Sequence, residues 1–302
     1  MPTVSVLIPT FRRPEPFRRA AASVFAQSYR ERVELVAVDN SPEGSALSLF
    51  QALERVAPMQ FRWAHEPRPG VANARNAALA LASGDFVAWL DDDETAPPGW
   101  LEALVRVRRE TGAQSVFGPV RAMAQGADKR FYENLYSRKG PRRSGLIAAP
   151  SGIGNSLQPR SLFDESAPFC ATSNETGGED DLLFASWRAA GATFAWAADA
   201  EVIEHIGPER LRLSHGLKRA FAYGQGPCEL AWSARDYFAL ARHMWVGAGQ
   251  AAVFGAAAAC LFATGQRSFL HALERSARGA GKMFWFRTQK FYGEALARSQ
   301  LA

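Results

Sequence analysis

The chain has 302 residues, 47% of them hydrophobic and 22% charged, enough for one catalytic-size domain with a smaller appendage. Its three cysteines, Cys170, Cys228 and Cys260, are scattered and odd in number, which argues against a disulfide framework or a cysteine metal site. The net charge of +5 hides a split, because residues 206–302 hold 13 Lys/Arg against 5 Asp/Glu, whereas residues 1–205 hold 22 against 25.

The first apolar run, Val4–Thr10, predicts a strand, and a helical pattern follows across Pro16–Gln27. Arg12-Arg13 is not followed by an apolar region, so no signal peptide is expected and the catalytic site is expected to face the cytoplasm. A second strand, Val33–Asp39, again ends in an acid, and a helix over Gly44–Val56 and a short strand at Gln60–His65 come next. Gly70-Val-Ala-Asn-Ala-Arg75-Asn76 opens a third helix that Gly84 terminates. Strands and helices alternating at this length predict βαβ units and an α/β fold with a mostly parallel sheet.

The strand Phe86-Val-Ala-Trp-Leu90 then ends in Asp91-Asp92-Asp93-Glu94. Acids at a strand's C-terminal end sit where open α/β sheets bind ligands. Adjacent carboxylates repel, so the cluster is costly unless something positive sits there, and an all-oxygen site suits Mg²⁺ or Mn²⁺. The simpler alternative is a solvated turn whose acids favour the helix N-terminus near Pro97-Pro98-Gly99-Trp100. Gln125–Pro150 has no clear periodicity and is expected to be an acceptor-facing or mobile loop, or simply a surface excursion. Gly177-Gly178-Glu179-Asp180-Asp181 opens a helix running to Gly191, with Glu204-His205 beyond it.

Taken in order, Ser-Val-Leu-Ile-Pro9-Thr10-Phe11, Val-Asp39-Asn40-Ser, Gly70 with Ala74-Arg75-Asn76, Gly84-Asp85 and Leu90-Asp91-Asp92-Asp93 resemble the family 2 glycosyltransferases over roughly residues 3–206. The wording around Asp91–Thr95 and Phe117-Gly-Pro-Val-Arg121 is similar to bacterial succinoglycan-type exopolysaccharide transferases. The resemblance implies a GT-A fold, with a nucleotide-binding half over 1–120 and an acceptor half over 121–206, followed by a helical region over 207–302. It implies an inverting, metal-dependent transfer of one sugar from a nucleotide diphosphate sugar, UDP-sugar favoured, to a lipid-linked or polysaccharide acceptor.

In that reading Asp93 ligates the metal, Asp91 and Asp92 contact ribose or complete the shell, and His205 is a second ligand, unless it is simply a satisfied buried histidine. Pro9, Thr10 and Phe11 border the nucleotide, with Phe11 either against the base or core filler. Asp39 accepts from the base edge or caps the next helix; the family often has two acids where this chain has Asp39-Asn40. Arg75 pairs with diphosphate or with the acidic cluster, a task for a planar permanent cation. Asp180 is the candidate general base and Glu179 orients acceptor or donor sugar, although these acids would equally suit a helix N-terminus. Neither the Gln-x-x-Arg-Trp motif nor the multiple spans of processive synthases are present, so single-sugar transfer is expected. A different class remains open, a catalytically silent nucleotide-sugar-binding or membrane scaffold protein of the same fold.

The tail carries an uncharged stretch, Met244–Ala263, long enough to span a membrane but dominated by alanine and glycine. Its basic aromatic stretches, His215–Tyr223 and Phe269–Tyr292, suit an anionic bilayer surface and predict a peripheral position on the inner face of the cytoplasmic membrane. Packing onto the catalytic domain or a dimer partner is the alternative; no nucleic-acid motif is present.

Overall fold

Strands whose two faces are both apolar must be covered on both sides, and this dictates the layering. In β1 (Val4–Thr10), Val4, Val6 and Ile8 join one buried cluster while Leu7 joins the other. In β2 (Val33–Asp39), Leu35 and Ala37 likewise part from Val36 and Val38. The computed structural model describes residues 3–29, 31–163, 167–171 and 178–287. Gly177 of the acidic motif, and Lys290, Phe291 and Tyr292 of the last basic stretch, lie outside the described residues.

Among the described residues the chain divides into two compact units, one holding the chain to Ala122 with Ser137–His205, the other Met123–Tyr136 with the chain from Ile206. In the first unit, α1 (Pro14–Phe25), α2 (Leu47–Glu54) and α3 (Val71–Leu81) alternate with β1, β2, β3 (Gln60–His65) and β4 (Phe86–Trp89). Pro14 starts α1, since its missing N–H is one the first turn leaves unbonded. After β5 (Glu94–Thr95) comes α4 (Trp100–Thr111), stopped by Gly112 at φ 68. The chain continues through β6 (Ser115–Phe117), β7 (Val120–Met123), β8 (Gly145–Ile147), β9 (Ser156–Pro159), α6 (Glu179–Ala189), β10 (Phe194–Trp196) and β11 (Val202–His205).

The main sheet runs β3-β2-β1-β4-β9-β6-β10-β8, and a small sheet runs β5-β11-β7. β1, β2, β3 and β4 are parallel, as the alternating pattern predicts. β9 enters antiparallel between β4 and β6, with Ser156 opposite Trp89. That register carries residues 153–155 to the end of β4, beside the acids.

Two expectations need correction. Gln125–Pro150 is not an aperiodic excursion, since it contains α5 (Lys129–Tyr136), which buries Phe131, Tyr132 and Tyr136, as well as β8. The apolar pairs recur one turn apart, a stripe that the surrounding Arg, Lys and Gly obscure. The basic stretch at His215–Tyr223 is only part of α7 (Leu213–Ser233), which continues through Pro227.

The second unit is helical. α8 (Tyr237–Ala263) starts where the Asp236 carboxylate accepts from Ala239 N at 2.9 Å, and α9 (Phe269–Met283) packs along it. Their backbones approach closely, because a methyl group at Gly279 would come within 2.6 Å of Ala251 N.

Asn155 ties the first unit together. It is fully buried at φ 55; its Oδ1 accepts from Trp100 Nε1 at 2.7 Å, and its Nδ2 donates to Pro119 O at 2.7 Å and Ala200 O at 2.8 Å. Asn155→Ala strands three buried polar groups and keeps the left-handed backbone, so urea unfolding should show a loss of about 3 kcal/mol or more. Asn155→Gly relieves the backbone and should recover about 1 kcal/mol of it.

Candidate active site

The ends of β1, β4 and β11, the turn before β9 and the start of α6 deliver the chemistry. Asp92, Asp93 and Glu94 are buried, and Asp91 is partly so. The positive partner that four adjacent acids demand is arginine. Arg13 NH1 lies 3.0 Å from Asp93 Oδ2 and 3.4 Å from Asp92 Oδ1. Thr10 Oγ1 donates to Asp92 Oδ2 at 2.7 Å. Arg138, whose guanidinium donates to Gly154 O, offsets Asp91 and Glu94, and Arg75 also acts on Asp91.

Burial still dominates. It raises the Asp91 and Glu94 carboxyls above the usual carboxylate range and pushes Asp92 up to about 7, with Arg13 pulling Asp92 down and Asp93 pushing it up. Asp91 N–H donates to Glu94 Oε2 at 3.1 Å, so Glu94 closes the turn that holds the cluster.

Two sequence-distant acids join it. Glu179 is buried and ion-paired with Arg75, whose guanidinium carbon stands 5.7 Å from the Phe169 ring centroid. Burial raises Glu179, and Arg75 opposes the shift. Asp180 accepts from Ile153 N at 3.1 Å through Oδ2 and from Asp181 N at 3.0 Å through Oδ1. A carboxylate has about four acceptor positions, so two remain. The residue after Ile153, Gly154, lies against Asp91, because a methyl there would come within 2.5 Å of Asp91 Oδ2. One strip of backbone therefore has Asp180 against Ile153 and Asp91 against Gly154.

His205 lies across the small sheet. Its N–H donates to Asp93 O at 2.8 Å and its Nε2 is 3.0 Å from Thr95 Oγ1. Burial and Arg19 lower its pKa, and Asp93 opposes them. Among the described residues no group of three or more His, Cys, Asp or Glu forms a ready metal cage. Asp93 and His205 are linked by that backbone bond and by the Asp93 charge acting on the imidazole.

At the paired ends of β1 and β2, Asp39 is fully buried and caps its own loop. Oδ1 accepts from Ser41 N at 2.9 Å and Ser41 Oγ at 2.7 Å, and Oδ2 from Ala46 N at 2.5 Å. Asn40 explains why an amide stands beside it. Its Nδ2 donates to Glu66 O at 2.9 Å and Arg68 O at 2.8 Å, while its Oδ1 accepts from Gly70 N at 2.7 Å. An acid would supply neither donation. Pro9 pairs in register with Val38 and Thr10 with Asp39. Phe11 is half-buried, with the Arg12 guanidinium 5.3 Å from its ring centroid and Arg12 held at 2.7 Å by Glu43.

Arg13 and Arg138 were not among the predicted site residues. The demand for a counter-charge was legible, but its source was not. A folded-state pKa near 7 for Asp92 lies above the unfolded carboxylate value, so the folded form holds the proton more tightly and stability falls as pH rises across about 4 to 7. Arg13 limits that loss. Its side chain stays 37% exposed, so solvent screening should keep the cost of Arg13→Gln to about 1–2 kcal/mol. Thermal melts should show a small Tm deficit near about pH 4.5 and a larger one near about pH 8. Equal deficits would remove Arg13 as the counter-charge.

Comparison with known proteins gives the same picture. The family model for glycosyl transferase family 2 matches residues 5–168. The succinoglycan biosynthesis protein ExoM of Rhizobium meliloti (strain 1021) is 33% identical over 231 residues, spanning 74% of this chain and 73% of that one. The GalNAc(5)-diNAcBac-PP-undecaprenol beta-1,3-glucosyltransferase of Campylobacter jejuni is 32% identical over 119 residues, 39% of this chain and 38% of that one. Among solved structures, the mannosyltransferase PcManGT of Pyrobaculum calidifontis, in complex with GDP-Man and Mn²⁺, aligns with a TM-score of 0.65 at 20% identity, covering 95% of this chain and 88% of that one. The chain belongs to glycosyl transferase family 2 and is a glycosyltransferase with the GT-A fold.

Proposed function

We propose that the enzyme moves one sugar, with inversion, from a nucleotide diphosphate sugar to a lipid-linked or growing polysaccharide acceptor, with UDP-sugar as the favoured donor. The observation that carries this reading is the backbone strip Ile153-Gly154, which has the candidate base Asp180 on one residue and the acidic cluster on the next. The relatives support the acceptor class, since the Campylobacter enzyme's name specifies an undecaprenol diphosphate glycan.

The residues divide the work by charge. Asp93 and His205 would hold a divalent cation, Mn²⁺ or Mg²⁺, which when bound would neutralise the departing diphosphate. Arg13 balances Asp92 and Asp93. Asp91 and Asp92 face the donor, anchored by Glu94 and Thr10. Asp39 shapes the nucleotide floor by holding the Ser41–Ala46 loop. Glu179, fixed by Arg75, orients donor or acceptor. Asp180 takes the acceptor hydroxyl proton through an acceptor position that its two backbone bonds leave open.

Two substitutions test the division. Asp93→Ala should abolish the Mn²⁺ dependence of nucleotide diphosphate binding, read by calorimetry, while leaving the fold intact. Unchanged metal dependence would remove Asp93 as a ligand. Asp180→Asn keeps the shape and the Ile153 contact, so donor affinity should survive while transfer falls about 10²–10⁴-fold. Near-normal turnover would move the base to Asp181 or Glu179.

A further inference from the structure

α8 is long and apolar enough to cross a membrane, yet little of it is buried inside the protein, which sets it apart from a core helix. Leu240, Gly247 and Ala258 face the other helices. On the opposite side Phe238, Trp245, Ala252, Ala256 and Ala259 recur at seven, four and three residues, all exposed, Phe238 at 84% and Trp245 at 80%. Exposed Leu230, Trp232 and Tyr237 continue this apolar surface around the α7–α8 corner, beside exposed Arg235 and Arg242.

From this surface we infer that α8 lies in the plane of an anionic bilayer, its outward stripe in the interface, and does not span it. The partner is chosen by charge. Residues 206–287 hold eleven Lys/Arg against four Asp/Glu, which anionic headgroups attract and a second copy of the same surface repels. Aromatic rings beside arginines suit the headgroup level.

The orientation is chosen by what α9 brings along. Gln250, midway along α8, donates to Arg275 O at 3.0 Å and accepts from Lys282 Nζ at 2.8 Å. Ser276 Oγ donates to Ala251 O at 2.9 Å, and the Arg275 guanidinium lies 5.1 Å from the Phe254 ring centroid. A spanning α8 would put this junction at mid-bilayer and carry Arg275 and Lys282 into hydrocarbon, or tear the helices apart. Lying flat, α8 sinks only about 5–10 Å and α9 keeps its charges in water. The basic stretches on α7 and α9, predicted from sequence as the docking elements, become the support of the apolar helix between them.

The inference rests on the reading of a lipid-linked acceptor, and its test separates the two. The full chain and the Phe238→Glu/Trp245→Glu variant are sedimented with phosphatidylcholine vesicles with and without phosphatidylglycerol, and UDP binding with Mn²⁺ is measured in parallel. The wild type should prefer anionic vesicles, and the variant should partition about tenfold more weakly or worse with UDP affinity unchanged. Nitroxides on cysteines placed singly at positions 238, 252 and 259, in a background lacking the exposed Cys170 and Cys260, should report one shallow depth. A depth profile that peaks at the middle position overturns the in-plane geometry. Undiminished vesicle binding by the variant overturns the surface assignment, and loss of lipid-free self-association instead assigns the stripe to a second copy. Wild-type vesicle binding without UDP binding would sink the proposed function and leave this inference standing.

Discussion

The catalytic unit is organised around one electrostatic difficulty, the concentration of buried carboxylates at the end of β4. Asp92, Asp93 and Glu94 cannot be withdrawn from water together unless cations accompany them, because burial and mutual repulsion both oppose ionisation. The fold brings those cations from three separate stretches: Arg13 at the entry to α1, Arg75 on α3 and Arg138 after α5. Two of the arginines also fix something else. Arg75 positions Glu179, and Arg138 reaches the carbonyl of Gly154, the residue packed on Asp91. Charge balance and site geometry are thus set by the same contacts.

Such a site is suited to a substrate whose charge changes as it reacts. A carboxylate cluster that its arginines only partly offset would favour a cation, and arginines suit phosphate oxygens as well as carboxylates, which is what the proposed function asks of both. The proposed pairing of Asp93 and His205 on a cation belongs to the same logic, since a cation shared with a diphosphate would need fewer protein ligands than a caged one.

Much of this was legible in the amino-acid sequence because it is local. Alternating strands and helices, the acidic run after Leu90 and the Glu179-Asp180 pair are patterns within a few residues, and β1, β2 and β3 lie where periodicity puts them. The remainder depends on register. Nothing near Arg13 in sequence indicates that it faces residues about eighty positions later, and only the antiparallel insertion of β9 next to β4 brings Gly154 onto Asp91. The partners of Asn40 and Asn155 were hidden for a related reason: an amide that both donates and accepts between distant backbone segments leaves no motif. α5 was missed because its apolar residues are few and embedded among charges.

Calorimetric titration of UDP into the wild-type protein, with and without Mn²⁺, addresses the charge-balanced cluster most directly. If Asp93 and His205 share a cation with the diphosphate, UDP should bind markedly more tightly when Mn²⁺ is present, and Mn²⁺ alone should bind weakly, because protein supplies only part of its shell. UDP affinity indifferent to Mn²⁺, or tight Mn²⁺ binding without nucleotide, would contradict a diphosphate–cation site at the end of β4.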